Sequence, residues 1–342
     1  MADFADITST SNYNTPKALY IGVDGVARKV KKAYIGVDNV ARKVKKMYLG
    51  VDGVARCIFS GEQKLSYYGK ATSLSQARFD LASTTVGNYA LFGGGYTTTY
   101  SSAVDAYNTS LTRTTPTTLS QARGDLASTT VGNYALFGGG ATYTYSSAVD
   151  AYNTSLTRTT PTTLSQGRQS LTSTTVGNYA LFGGGWAGSA RLATVDAYNT
   201  SLTRTTPTVL SQARQTIAAT PVGNYALFGG GYTDTFSSTV DAYNTSLTRT
   251  TPTALSQTRD YLASTTVGNY ALFGGGRFTG NSSLATVDAY NTSLTRTTST
   301  ALSQARQFLV STTVGNYALF GGGMIQGNSV IAMATVDVYQ VS

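Results

Sequence analysis

Residues 119–163 read LSQARGDLASTTVGNYALFGGGATYTYSSAVDAYNTSLTRTTPTT, and this 45-residue stretch recurs with small changes along most of the chain. A Gly-Gly-Gly triplet marks each copy and begins at positions 93, 138, 183, 229, 274 and 321. Consecutive triplets are therefore 45 to 47 residues apart. Six near-copies at one period indicate a single structural element that is repeated six times.

Each copy contains four short strand-like segments, which we call strands a, b, c and d. In the quoted copy they are LASTTV, NYALFG, AVDAYN and SLTRTT. In the first copy, Gly87-Asn88 joins a to b and Asn108-Thr109-Ser110 joins c to d, and both sequences are typical of tight turns. Strand b is apolar on both faces, which predicts an interior strand, while the Thr-rich strand d with Arg113 predicts an exposed outer edge.

The two ends of the array predict how it closes. The last copy stops after strand c, and residues 64–72 (KLSYYGKAT) occupy the register of a strand d before the first copy. We therefore expect an all-β fold, namely a six-bladed kelch-like β-propeller. In this fold the N-terminal segment supplies the outer strand that closes the ring. The expected domains are an arm at residues 1–17, a repeat segment at 18–60 and the propeller at 61–342.

The repeats resemble those of the kelch family over roughly residues 64–342. The resemblance rests on a hydrophobic strand that ends in Gly-Gly and is followed by an aromatic residue in the next strand. Kelch repeats usually carry a second aromatic residue in strand d, where this chain has Leu-Thr-Arg. The aromatic residues of strand c are Tyr107, Tyr152, Tyr198, Tyr243, Tyr290 and Tyr339.

Variation among the six copies is greatest in two places, and all the variation in length lies in one of them. The loops between strands b and c hold 8, 8, 9, 8, 10 and 12 residues and differ most in sequence, and the two residues after each LSQxR also change. In a four-stranded antiparallel blade both places lie on one side of the ring, whereas the nearly constant a–b and c–d turns lie on the other. Unconstrained drift of surface loops would explain the loop lengths, but it explains the variable pairs less well.

We predict that this variable side is a binding face, because aromatic, amide and charged residues displayed on a constant frame are typical of recognition loops. Aromatic rings beside Asp, Asn and Gln would suit a glycan. The candidate binding residues are Phe79, Asp80, Asp125, Gln169, Gln215, Asp260, Tyr261, Gln307, Phe308, Tyr96, Tyr100, Tyr143, Tyr145, Trp186, Arg191, Tyr232, Asp234, Phe236, Arg277, Phe278, Asn281 and Gln326.

The composition argues against an enzyme and predicts neither a metal site nor a cofactor. Histidine is absent and Cys57 is the single cysteine, which removes the usual general base and the commonest ligands for zinc or copper. The Gly triplets lack the context of a phosphate-binding loop. One Arg and one Asp recur in every copy, so we predict that they form one structural pair in each blade. The arginines are Arg78, Arg123, Arg168, Arg214, Arg259 and Arg306, and the aspartates are Asp105, Asp150, Asp196, Asp241, Asp288 and Asp337.

A second repeat system, with a period of 14 residues, precedes the propeller. YIGVDGVAR, YIGVDNVAR and YLGVDGVAR begin at positions 20, 34 and 48 and are joined by Lys-rich sequence. Asp-Gly or Asp-Asn between β-prone runs predicts hairpins, arranged as a small meander or an elongated spiral. Residues 1–60 contain 10 Lys and Arg against 5 Asp and Glu, a net charge of +5, so either a solvated basic surface or a docking or oligomerisation segment is expected.

The combination of these basic repeats with a kelch-like array resembles proteins encoded by phages and prophages of Gram-positive bacteria. That resemblance implies a virion or tail component, located in the phage particle or in the bacterial cytoplasm before assembly. Its partners would be other virion proteins through residues 1–60, further copies of itself, and a host cell-surface ligand such as a glycan. The alternatives are a decoration protein whose propeller packs against neighbouring virion subunits, or an intracellular protein-interaction propeller.

No nucleic-acid partner and no membrane insertion are expected. The aromatic residues of the basic repeats occupy regular strand positions, which differs from a stacking platform for bases. Residues 1–17 lack a basic region followed by an apolar one, and no apolar run approaches the length of a membrane span, so we expect no signal peptide.

Overall fold

A computed structural model describes residues 20–23, 26–29, 34–37, 40–43, 46–51, 54–60, 70–326 and 330–341. The chain divides into two compact units, Met1–Lys70 and Ala71–Ser342. Within the described residues the only helix is a short 3-10 turn, Thr279–Asn281, and no helix is long and apolar enough to cross a bilayer.

Six strands of the first unit form three separate antiparallel hairpins, as the 14-residue repeats predict. Each hairpin pairs the two β-prone runs of one repeat, and the intervening Asp-Gly and Asp-Asn turns lie outside the described residues. The hairpins are β1–β2 (Tyr20–Val23 and Val26–Lys29), β3–β4 (Tyr34–Val37 and Val40–Lys43) and β5–β6 (Lys46–Val51 and Val54–Ser60).

The second unit is a six-bladed β-propeller, which confirms the predicted fold class. Blades 1 to 5 are four-stranded antiparallel meanders in the order a, b, c, d, and three strands of blade 6 are described. Blade 1 contains β7 to β10, at Ala82–Val86, Tyr89–Gly93, Val104–Tyr107 and Arg113–Thr114. Blade 2 contains β11 to β14, at Ala127–Val131, Tyr134–Gly138, Val149–Asn153 and Arg158–Thr159.

The remaining blades repeat this pattern. Blade 3 contains β15 to β18, at Thr172–Val176, Tyr179–Gly183, Val195–Asn199 and Arg204–Thr205, and blade 4 contains β19 to β22, at Ala218–Val222, Tyr225–Gly229, Val240–Asn244 and Arg249–Thr250. Blade 5 contains β23, β24, β27 and β28, at Ala263–Val267, Tyr270–Gly274, Val287–Asn291 and Arg296–Thr298. Blade 6 contains β29, β30 and β33, at Val310–Val314, Tyr317–Gly321 and Val336–Gln340.

The b–c loops of the last two blades carry short hairpins that the sequence patterns did not predict. They are β25–β26 (Arg277–Phe278 with Ser282–Ser283) and β31–β32 (Met324–Gln326 with Val330–Ala332). These are the two longest b–c loops, and a two-stranded ladder satisfies the backbone polar groups that a longer loop adds.

Consecutive blades are joined by a phenylalanine ring that packs on a glycine. The ring belongs to strand b of one blade, and the glycine is the first of the triplet in the blade before it. A Cβ atom added to Gly93 would lie 2.8 Å from the ring of Phe137, so only glycine admits this contact. The five junctions pair Gly93 with Phe137, Gly138 with Phe182, Gly183 with Phe228, Gly229 with Phe273 and Gly274 with Phe320.

The sixth junction, between blade 6 and blade 1, lacks this packing among the described residues. No phenylalanine approaches Gly321, and Phe92 in blade 1 is partly exposed whereas its five counterparts are fully buried. Val310 and Val338, on strands of blade 6, are 72% and 53% exposed. The closure predicted at this junction is therefore not confirmed, and residues 61–69 of the predicted closing strand lie outside the described residues.

A buried ion pair fixes each linker between blades, as the matched Arg and Asp repeats predict. In blade 2, Arg123 Nη2 donates to Asp150 Oδ2 at 2.7 Å and to the carbonyl of Phe137 at 3.0 Å, and both charged side chains are fully buried. Burial lowers the pKa of the Arg123 guanidinium, and the Asp150 carboxylate opposes that shift. The other pairs are Arg78–Asp105, Arg168–Asp196, Arg214–Asp241, Arg259–Asp288 and Arg306–Asp337.

The tyrosine of strand c connects the core to the same linker. The Tyr152 hydroxyl donates to the carbonyl of Thr117 at 2.7 Å, and its ring meets Phe137 edge-on at 6.0 Å. Burial raises the pKa of the equivalent phenols of Tyr152, Tyr198, Tyr243 and Tyr290, and it raises that of Tyr339 to about 12.

The packing at the blade junctions predicts that removing two equivalent phenylalanine rings lowers the free energy of unfolding by different amounts. Phe182→Ala should lower the free energy of unfolding by about 3–5 kcal/mol, because it empties a fully buried site, whereas Phe92→Ala should cost markedly less because its ring is partly exposed. Urea denaturation of both variants measures the difference. Equal losses would show that Phe92 is buried in a sixth junction in solution.

The buried tyrosines predict a loss of stability at alkaline pH. Their pKa values are higher in the folded chain, so the stabilisation is complete below the unfolded value of about 10 and falls as the pH rises through the folded values. Urea denaturation between pH 8 and pH 11.5 should show this decline, and it should be shallower in Tyr198→Phe. A stability that is constant across this range would contradict the assignment.

Candidate binding face

The structure brings the two variable places of each blade into direct contact. In blade 3 the backbone N–H of Trp186, at the start of the b–c loop, donates to the carbonyl of Gln169 at 2.8 Å, and the reverse bond measures 3.0 Å. Every blade repeats this bridge, at Phe79–Tyr96, Gly124–Ala141, Gln169–Trp186, Gln215–Tyr232, Asp260–Arg277 and Gln307–Met324. The variable pairs and the b–c loops therefore share one side of the propeller, which we call the binding face.

The constant turns meet one another between neighbouring blades. In blades 1 to 4 the glycine of the a–b turn lies against the threonine of the c–d turn in the next blade, for example Gly132 against Thr200. This contact explains why both turns remain nearly constant in sequence while the binding face varies.

The second residue of each variable pair has a left-handed backbone conformation. The φ angles lie between +49° and +56° at Asp80, Asp125, Ser170, Thr216, Tyr261 and Phe308. Such angles are uncommon for residues other than glycine, and they cluster at functional sites. Neighbouring second residues contact each other directly: the N–H of Phe308 donates to the carbonyl of Tyr261 at 3.1 Å, and that of Asp125 to Asp80 at 3.0 Å.

Arg191 lies between two aromatic rings that come from adjacent blades. Its guanidinium is 5.4 Å from the ring of Trp186 in the same loop and 4.7 Å from the ring of Tyr232 in blade 4. Nη1 donates to Asp234 Oδ1 at 2.8 Å, where the Asp234 side chain is 98% exposed. The cation–π contacts and the ion pair together hold this arginine across a blade junction.

Arg277 occupies a similar position between blades 4 and 5. Its guanidinium is 5.5 Å from the ring of Phe236 and 4.8 Å from the ring of Tyr261. Two hydrogen bonds join it to the buried carboxylate of Asp260, at 3.0 Å and 2.8 Å, and this pairing raises the pKa of Arg277. Asn281 Oδ1 is 3.4 Å from Arg277 Nη1.

The aromatic contacts continue on both sides of Arg277. Tyr232 meets Phe236 edge-on at 5.4 Å, and Phe278 is 6.5 Å from Phe236. Tyr261 stacks on Phe308 with ring centroids 3.8 Å apart. Predicted residues of blades 3 to 6 thus form one connected cluster.

A second aromatic cluster lies on blades 1 and 2. Phe79, Tyr96, Tyr100 and Tyr143 contact one another in series with centroid distances of 5.1 to 6.0 Å, and Tyr143 is 91% exposed. A hollow of about 430 Å³ adjoins Tyr100, and one of about 250 Å³ adjoins its blade-4 counterpart, Phe236.

Other predicted residues are distributed around these clusters. Gln307 is buried, Gln169 and Gln215 are half-buried, and Gln326 lies on the blade 6 hairpin. Tyr145 borders Gly188 in the blade 3 loop. Ser170 and Thr216 also belong to the variable pairs, but they were not predicted as site residues because a short hydroxyl side chain gives no distinctive signal in the sequence.

Those two hydroxyl groups contact acidic side chains of the neighbouring pairs. Ser170 Oγ donates to Asp125 Oδ2 at 2.7 Å, and Thr216 Oγ1 is 3.4 Å from Asp260 Oδ2. Desolvation raises the pKa of the Asp125 carboxyl, the bond from Ser170 opposes that shift, and the nearby Asp80 adds to it.

The net charge of the predicted residues on the binding face is negative. Asp80, Asp125, Asp234 and Asp260 contribute four negative charges against two positive charges from Arg191 and Arg277, a net −2. Both arginines are already paired with a carboxylate. In residues 70–326 and 330–341, no three His, Cys, Asp or Glu side chains converge to hold a metal ion.

No protein-family model matches this chain, and no curated protein matches it.

The two ion pairs of the binding face predict that removing the carboxylate charge lowers the free energy of unfolding by different amounts. Asp260→Asn should lower the free energy of unfolding by about 2 kcal/mol, because Asp260 is 1% exposed and holds Arg277 through two charged hydrogen bonds. Asp234→Asn is the matched control and should leave stability unchanged within error, because water screens its ion pair. Urea denaturation tests both, and an equal loss for the two would contradict this description of the site.

Proposed function

We propose that this chain is a non-enzymatic binding protein that recognises a glycan on a host surface through the binding face. The observation that carries the proposal is the cluster of aromatic and arginine side chains on blades 3 to 6. It stands on a backbone ladder that is the same in all six blades, whereas its side chains differ from blade to blade. Fixed frames that display variable aromatic loops are typical of recognition surfaces.

A glycan fits the chemistry of this surface better than a phosphate-rich ligand does. Aromatic rings offer flat apolar faces on which the CH faces of sugars stack, and the amide and carboxylate groups around them can bond hydroxyl groups. A nucleic acid or another polyanion would meet a net charge of −2 and two arginines that are already paired.

The N-terminal hairpins supply the attachment in this proposal. The net charge of +5 on residues 1–60 and the repetition of the hairpins suit docking to a partner or assembly with further copies. We propose that residues 1–60 hold the chain on a phage virion or tail, as the resemblance of the combined repeats implied. In the competing function, a decoration protein, the propeller packs against neighbouring virion subunits, which would cover the binding face.

Glycan-array screening and pull-down with bacterial cell walls test the proposal. Trp186→Ala, Tyr232→Ala and Phe278→Ala should each weaken binding about tenfold, because each removes a ring that would be buried against the sugar. Ser201→Ala is the matched control, because it changes an exposed residue in the c–d turn of blade 3, and it should bind like the unchanged chain.

Two results would overturn the proposal. One is the absence of any array or cell-wall signal from the full chain, and the other is a signal that all three ring deletions leave intact. A density map of an assembled particle would separate the two virion roles, because recognition requires an exposed binding face and decoration a covered one.

A further inference from the structure

The cluster on blades 3 to 6 contains a continuous line of side-chain contacts. Its members are residues of three b–c loops and of two variable pairs, and successive members are 3.8 to 5.5 Å apart, measured between ring centroids or from guanidinium carbon to centroid. We call it the aromatic track. In order along the face it comprises Trp186, Arg191, Tyr232, Phe236, Arg277, Tyr261 and Phe308.

We propose that the aromatic track binds a linear, uncharged glycan of β-linked pyranose units, with successive sugars lying along it from blade 3 to blade 6. This inference rests on the proposed function and adds the shape and charge class of its ligand. It also predicts that affinity increases with chain length.

The arginines make the track continuous. Trp186 and Tyr232 come from different blades, and the guanidinium of Arg191 fills the space between their rings. Arg277 does the same between Phe236 and Tyr261. These are the only two arginines of residues 61–342 that lie outside the repeated positions, so each is an individual feature of its loop. A planar guanidinium extends an apolar stacking surface while its charge is satisfied at the edge.

The surroundings of the track favour an extended ligand over a compact one. Small molecules are usually held in deep clefts that cover most of their surface. The hollow that adjoins Tyr232 and Phe236 measures about 250 Å³, and the exposed residues Asp234 and Thr235 line it. A ligand on this surface is covered on one side only, so tight binding requires contacts along several units.

The charges favour an uncharged chain. Arg191 and Arg277 are both engaged by carboxylates, at Asp234 and Asp260. A uronic acid or phosphate group would have to displace one of these partners and would then lie beside it. Hydroxyl and acetamido groups can instead donate to the carboxylates without separating either pair.

The experiment measures binding of cello-oligosaccharides and chito-oligosaccharides, from disaccharide to hexasaccharide, to the full chain by titration calorimetry. In at least one series the affinity should rise about tenfold or more from disaccharide to hexasaccharide. Trp186→Ala and Phe308→Ala, at the two ends of the track, should remove most of that rise and leave disaccharide binding within twofold. Phe236→Ala, in the middle, should weaken binding of every length.

Tyr270→Ala is the matched control, because Tyr270 is an exposed aromatic residue at the start of strand b in blade 5, beside the a–b turn and on the side opposite the binding face. It should change no affinity in the series, and thermal midpoints close to that of the unchanged chain would show that all four variants are folded.

Three outcomes would overturn the inference while the proposed function stands, provided that the array gives a hit that the ring deletions abolish. They are a flat dependence on chain length, no binding of either series, and binding restricted to anionic glycans. Loss of hexasaccharide binding in a further variant, Tyr143→Ala, with both end variants unaffected, would place the ligand on blades 1 and 2 and would also overturn it. Failure of the array itself would reject the proposed function as well.

Discussion

The buried arginine at the end of each linker holds the strands of its own blade together and also bonds to the neighbouring blade. Arg123 joins strands b and c of its own blade, through the carbonyl of Phe137 and the carboxylate of Asp150, and its own carbonyl accepts the N–H of Gly95 from the preceding blade at 2.9 Å. The next two residues are the variable pair. The group that fixes the blade junction therefore also fixes the backbone of the binding face.

Buried ion pairs are costly to desolvate, and apolar replacements are often at least as stable. Here each pair has a further effect, because Asp150 also accepts bonds from the backbone and hydroxyl of Ser120 and so sets the path of the linker. The phenylalanine ring that packs on a glycine supplies the apolar contact at the same blade junction. Because each blade contacts mainly its neighbours, stability is expected to grow junction by junction, as in other repeat proteins. Phe92 and Gly321 are the two members of this arrangement that lack their counterparts among the described residues.

On the binding face the backbone geometry is the same whichever side chains are present. All six bridges between pair and loop are the same, although their members range from Gly124 to Trp186. Backbone hydrogen bonds form this ladder, so a loop can change its side chains without changing its position. The left-handed residue after each bridge is likewise held by its neighbours and tolerates Asp, Ser, Thr, Tyr or Phe. Because the loop backbones keep their positions when the side chains change, an arginine in one loop can stack against an aromatic ring in the next.

Reading the amino-acid sequence alone was enough to predict the period, the four strands of each blade, the N-terminal hairpins, the Arg–Asp pairs and the grouping of variable residues on one side. Each of these follows from local patterns or from comparing copies within the chain. The folded chain was needed to reveal the left-handed backbone at Tyr261 and Phe308, the loop hairpins, the arginines between rings and the incomplete packing at the sixth junction. The loop hairpins form within single loops, whereas the other features depend on contacts between residues about one repeat apart, such as Arg191 and Tyr232. Spacing along the chain specifies which residues face the same way, but the twist and packing of neighbouring blades determine which of them touch.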